Sequence, residues 1–130
     1  MFNWRRPTNL GAKDGRLAPC RRTPNCVSSQ ADPADREHYI APLSFHGAMA
    51  DLRRAVESMP RAKVITVEGN YLYAEYRTRL VRYVDDLELY YDERAGVVHV
   101  RSASRLGRRD FGVNRKRVEA LRRLIATPQP

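Results

Sequence analysis

Residues 83–117 read YVDDLELYYDERAGVVHVRSASRLGRRDFGVNRKR, and the fold is decided by how this stretch arranges itself. Its first part, within Arg82–Asp92, alternates at the period of a strand: Tyr83, Asp85, Leu87, Leu89 and Tyr91 fall on one face, and Arg82, Val84, Asp86, Glu88 and Tyr90 on the other. Glu93-Arg94-Ala95-Gly96 supplies a turn, and Val97–Ala103 reads as the returning strand. The run Ser102–Asn114 then crosses two glycines and several arginines into a helix over about Gly112–Ala126, with Val113, Val118, Leu121 and Ile125 directed inward and Pro128 ending it.

Two further strands precede this hairpin. Ala62–Glu68 is rich in β-branched residues and ends at Gly69-Asn70, a two-residue hairpin signal. Tyr71–Thr78 alternates, with Leu72, Ala74 and Tyr76 on one side and Tyr71, Tyr73, Glu75 and Arg77 on the other. Upstream, Phe45, Met49, Leu52 and Val56 recur at helical spacing after Ser44, which reads as the N-cap, and Pro60 stops the helix. The expected fold is α+β in the order α-β-β-β-β-α, a four-stranded antiparallel meander with two helices packed on one face.

Residues 1–36 show little periodicity and much punctuation, and are expected to form an extended arm over a single domain at 37–127, with Trp4 and Leu10 as anchors. Within the arm, Cys20 and Cys26 flank Pro24-Asn25. A disulfide between them is sterically possible; two ordinary thiols are the other reading. Two cysteines with no histidine at ligand spacing do not make a zinc site, so neither a metal nor a cofactor is expected.

At 130 residues, 42% hydrophobic and 30% charged, the composition is that of one globular domain. The net charge of +9 is unevenly placed: +5 over residues 1–30, −3 over 31–100 and +7 over 101–130. No apolar run approaches the length of a membrane span, and the N-terminus lacks the apolar core of a secretory signal, which points to the cytoplasm. Positive charge attracts nucleic acid or acidic partners without choosing between them. Tyrosines on an open sheet face would suit base stacking, but Glu75, Asp86 and Glu88 share that face and would repel phosphate.

Asp85 is the informative carboxylate, because it shares a face with Leu87 and Leu89. A carboxylate on the core side must be paired or hydrogen-bonded. An arginine from Arg101, Arg105, Arg115 or Arg117 is the expected partner, either as a structural tie or as part of a polar pocket. The loop into the last helix, with Ser102, Ser104, Arg105 and Asn114 beside free helix N–H groups, has the makings of an anion site; in the other reading Asp110 caps the helix. Neither cysteine has a histidine at a suggestive spacing, and no serine lies in a nucleophile elbow.

PCRRTPNCVSS, DDLELYYD and above all VRSASRLGRRDFGVNRKRVEALR closely resemble domain of unknown function family 1499, over roughly residues 17–126. The resemblance implies occurrence in bacteria and photosynthetic eukaryotes but no activity. Many relatives carry an N-terminal signal, lipobox or membrane segment, which implies a periplasmic alternative; this chain starts at MFNWRRPTNLG. The match groups Asp85, Asp86, Arg101, Ser102, Ser104, Arg105, Gly107, Asp110, Gly112, Asn114, Arg115 and Arg117 as one constellation. The leading expectation is a non-enzymatic binding module for a small anion or an acidic partner segment at this strand–loop–helix cleft. The alternative is an enzyme with Asp85 or Asp86 as general base and Arg105 holding an anionic substrate. Nonspecific nucleic-acid binding comes third.

Overall fold

The computed structural model describes residues 5–79 and 83–126. Trp4, Arg82 and Pro128, assigned above to an anchor, a strand and a helix stop, lie outside those residues. The described chain forms β1 (Cys26–Ser28), β2 (Leu43–Ser44), α1 (Met49–Glu57), β3 (Ala62–Glu68), β4 (Tyr71–Arg77), β5 (Val84–Asp92), β6 (Val97–Ser104) and α2 (Val113–Ala126). The class is α+β, as expected, but the antiparallel sheet has six strands, not four. Its order is β1-β6-β5-β4-β3, with β2 also on β6.

The two additional strands share one edge. β1 pairs with the C-terminal half of β6 (Cys26 opposite Ala103, Val27 opposite Ser102), and β2 with its N-terminal end (Leu43 opposite Val98). Ser44 therefore belongs to a strand and caps nothing. The N-cap of α1 is Ala48, whose backbone N–H donates to Asp51 Oδ2 at 3.0 Å, so the helix begins one turn later than its apolar spacing suggests.

The β5–β6 register fixes what the sheet presents on each side. Asp85 lies opposite Ser104, Leu87 opposite Ser102 and Leu89 opposite Val100; between them Asp86 faces Ala103 and Glu88 faces Arg101. At the turn, Gly96 has φ +66°, and a Cβ there would come within 2.5 Å of the His46 ring, so only glycine fits.

Both helices cover one face. Leu52 and Val56 of α1 and Val118 and Leu121 of α2 pack with Leu72, Ala74, Leu87, Leu89, Val98 and Val100 in one buried core. Val113, expected inward, is 40% exposed at the first turn of α2, because the helix enters the core only from Asn114 and Val118 onward. The opposite face is not open. Glu75, Asp86 and Glu88, read above as solvent positions, are 6%, 3% and 0% exposed. The arm reaches over this face: Arg6 Nε donates to Glu75 at 2.8 Å and the Gly11 N–H to Glu88 at 2.7 Å. Among the described residues, no helix is long and apolar enough to cross a membrane.

Candidate functional site

Most of the residues grouped by sequence divide into two networks, one on each side of the sheet. A strand sends successive side chains to opposite faces, so the neighbours Asp85 and Asp86 cannot share a site.

On the helix side, Asp85 Oδ2 accepts from Arg117 Nη2 at 2.7 Å, with the side chains 3% and 9% exposed. The Arg117 guanidinium also lies 4.5 Å from the centre of the Tyr76 ring, a cation–π contact. Its Nη1 donates to Asn114 Oδ1 at 2.6 Å and to Ser102 Oγ at 3.1 Å. Ser102 Oγ donates to Asn114 Oδ1 at 2.7 Å, and Asn114 Nδ2 donates to Ser104 Oγ at 2.9 Å and Asp110 Oδ2 at 2.8 Å. Asp110 caps α2 by accepting the N–H of Gly112 at 2.9 Å and of Asn114 at 3.1 Å. Burial works against its ionised form, but these donors hold its pKa below the ordinary carboxylate value. The helix N-terminus expected to receive an anion already holds one, the carboxylate of Asp110. Arg115 joins neither network; its guanidinium donates to the carbonyls of Arg36, Glu37 and Tyr39 and ties that loop to α2.

On the arm side, three carboxylates meet three guanidiniums. Arg105 donates through Nε to Asp86 Oδ2 and through Nη2 to Asp86 Oδ1, both at 2.9 Å, and through Nη2 to Glu75 at 2.6 Å. Glu75 also takes Arg6, and Glu88 takes Arg101 Nη1 at 2.9 Å. The Tyr73 hydroxyl stands between Glu75 Oε2 and Asp86 Oδ1, and Tyr71 donates to Glu88 at 2.6 Å. Burial beside carboxylates pushes both phenol pKa values up, and both hydroxyls stay protonated. For Glu75, burial opposes ionisation, but donation from Arg6, Tyr73 and Arg105 prevails and lowers its pKa to about 2. These tyrosines hold carboxylates and form no stacking platform.

A cavity of about 450 Å³ opens between this network, the arm and the cysteine loop. Arg5, Thr8 and Asn9 of the arm, Arg21, Asn25 and Cys26 of the loop, Asp86, Arg101 and Ser104 of the sheet, and Arg105 just after it line the cavity, the Asp86 carboxylate being engaged by Arg105. Arg101 Nε is buried and has no hydrogen-bond partner, the one such side-chain atom among the described residues. Arg21 is exposed and reaches the carbonyls of Ser104 and Arg105 at 3.5 and 3.4 Å, contacts that leave its charge uncompensated. Cys20 and Cys26 form a disulfide, with Cα atoms 5.7 Å apart. Beside it, buried Asn25 donates to the carbonyls of Leu106 and Gly107 at 3.2 and 2.8 Å and accepts the Ser104 N–H at 3.0 Å. The disulfide loop is thereby seated against the strand end that carries Arg105. Among the described residues, no group of three or more His, Cys, Asp or Glu side chains is arranged to hold a metal ion.

Sequence reasoning placed Glu75, Glu88 and Tyr73 on an outward face, where the structure buries them, and missed Asn25 and Arg21. For Glu88 a signal existed: a four-residue turn at 93–96 puts Glu88 opposite Arg101 by counting alone. Nothing local marks the reach of Asn25, whose side-chain amide donates to carbonyls 81 and 82 residues away.

The family described as "Protein of unknown function (DUF1499)" matches residues 16–125. The chain belongs to this family. The DUF1499 match includes the disulfide loop, the whole helix-side network and the arm-side network except Arg6, which with Arg5, Thr8 and Asn9 of the arm falls before it. No curated protein matches the chain.

Proposed function

We propose that this protein is a non-enzymatic binding module whose cavity between arm, disulfide loop and sheet takes a small oxyanion, a carboxylate or phosphate compound. The observation that carries this reading is Arg101. Its guanidinium is fixed by one hydrogen bond to Glu88, it lines the cavity, and its Nε is buried with no partner. A buried charged donor without an acceptor costs on the order of 1–3 kcal/mol or more, and such atoms are rare in native structures. An oxyanion would supply the acceptor, and a guanidinium held in one orientation suits bidentate recognition. Arg21, at the rim, adds an uncompensated positive charge for a ligand to meet.

The geometry argues against the general-base alternative. Asp86 accepts two hydrogen bonds from Arg105 and shares Tyr73, and Arg105 is already engaged by two carboxylates. A base needs a lone pair aimed at substrate, and a substrate clamp needs donors to spare. Nucleic-acid binding is left with charge alone. The paired Cys20 and Cys26 favour a compartment that permits disulfides, which supports the periplasmic alternative over the cytoplasmic one.

The test is titration calorimetry of the purified protein with phosphate, sulfate and citrate. We expect saturable binding of at least one, weakened about tenfold or more by Arg101→Lys and by Arg21→Gln. Arg101→Lys keeps a cation beside Glu88, and Arg21 is exposed, so both variants should fold. Absence of binding, or binding that neither variant changes, overturns the reading.

A further inference from the structure

A different part of the surface points to a protein partner. On the helix side, beyond the Asp85–Arg117 pair, a second cavity of about 450 Å³ is walled by Tyr83, Leu106, Phe111 and Val113. It borders a third of about 370 Å³, and the two share Thr78 and Val113. Phe111 is 87% exposed and sits at φ +54°, a left-handed conformation that costs a bulky residue energy. The turn thus holds an aromatic ring out in water at the rim of an apolar hollow, where burial of the ring would be expected to recover free energy.

The surroundings set the sign of the partner. Arg61, Arg77, Arg79 and Lys116 line the third cavity, and Arg109 lines the apolar one. None of these five side chains meets a carboxylate among the described residues. The two acids that reach the apolar cavity are engaged elsewhere, Asp85 with Arg117 and Asp110 with the N-terminus of α2. The result is an apolar recess beside an unbalanced cationic one.

We infer that this double recess docks an acidic protein segment, with one bulky apolar side chain entering against Phe111 and Val113 and carboxylates crossing Arg77, Arg79 and Lys116. A bilayer would supply the negative charge as well, but a flat surface leaves a concave recess unfilled, whereas one side chain fills it. The site is separate from the arm-side cavity and does not depend on the oxyanion reading.

The experiment uses a fluorescein-labelled peptide with a single tryptophan flanked on both sides by glutamates, followed by fluorescence polarisation with the full chain. Replacing that tryptophan by serine should weaken binding about tenfold. In the protein, Val113→Asp should do the same; it changes an exposed residue at a helix start, where an acid is tolerated, and circular dichroism checks the fold. Arg77→Glu combined with Lys116→Glu should abolish binding, while Arg101→Lys leaves it unchanged. Three results overturn the inference: no binding, equal affinity for the tryptophan and serine peptides, or retention on phosphatidylglycerol vesicles that the peptide does not compete away.

Discussion

Asp86 and Arg105 meet through two parallel hydrogen bonds, Nε to Oδ2 and Nη2 to Oδ1, each 2.9 Å long. The pair is buried and shares Arg105 with Glu75. Arg105→Met therefore leaves two buried carboxylates short of a cation and should cost about 3–5 kcal/mol in urea unfolding. Arg6 meets the same Glu75, but its side chain is 51% exposed, so solvent screens it and Arg6→Ala should cost no more than about 1 kcal/mol. Equal costs would mean that the arm, not burial, sets the strength of this network.

The Asp85–Arg117 pair makes the corresponding prediction on the helix side. Asp85→Ala leaves Arg117 buried without its carboxylate, at a cost of about 3–5 kcal/mol. Arg117 keeps Ser102, Asn114 and the Tyr76 ring, so the value should fall toward the lower end. Combining it with Arg117→Leu should cost less than the two single changes together. Simple additivity in the unfolding data would refute the coupling.

Stability should depend on pH at both ends. Glu75 titrates at about 2 against an ordinary value of 4.5, so its contribution is complete above 4.5 and is lost as pH falls toward 2. His38 behaves oppositely. Its ring nitrogens face two acceptors, Asp35 Oδ2 at 2.8 Å and the Thr23 carbonyl at 2.9 Å, which calls for the doubly protonated ring. Burial works against that charge, but the two acceptors prevail and raise its pKa above 6.5. Its contribution is therefore complete below 6.5 and is lost as pH rises through the raised value. Glu75→Gln should flatten the acid limb of a melting-temperature profile, and His38→Gln the limb above neutrality. A profile unchanged by either substitution would disprove the assignment.

Reducing Cys20–Cys26 releases a short loop whose ends are 6 residues apart in sequence. The expected loss is about 2–3 kcal/mol, read from denaturation with and without a dithiol reductant. The Asn25 contacts persist, so amide exchange should rise at Arg21 and Arg22 while Val27 stays protected. Exchange spreading through β1 would show that the disulfide, not Asn25, seats the loop.

The middle of the fold was legible because local signals agreed there. Gly69-Asn70 and the 93–96 turn fixed two hairpins, alternation fixed the helix-side face, and that face led to an arginine partner for Asp85. The edges were not legible. β1 follows a proline-rich loop and β2 is two residues long, so neither carries a periodicity to detect. The arm-side face was misread for a related reason: Glu75, Asp86 and Glu88 look solvent-exposed when charge is taken as a sign of exposure. Their partners, above all Arg6, Arg101 and Arg105, make burial tolerable, and Arg6 lies 69 residues from Glu75. A face covered by an aperiodic arm leaves no pattern in the strand beneath it.

The divided edge of β6 has a consequence for how copies of this chain meet one another. An unpaired strand edge is a template on which another chain can extend the sheet and begin to aggregate. Here that edge is capped by strands of three and two residues, too short to guide a further ladder. At the far edge, β3 is interrupted by an irregularity between Val64 and Thr66 and carries exposed Lys63 and Glu68. A bulge and outward charges disfavour edge-to-edge pairing. The sheet thus discourages polymerisation at both margins.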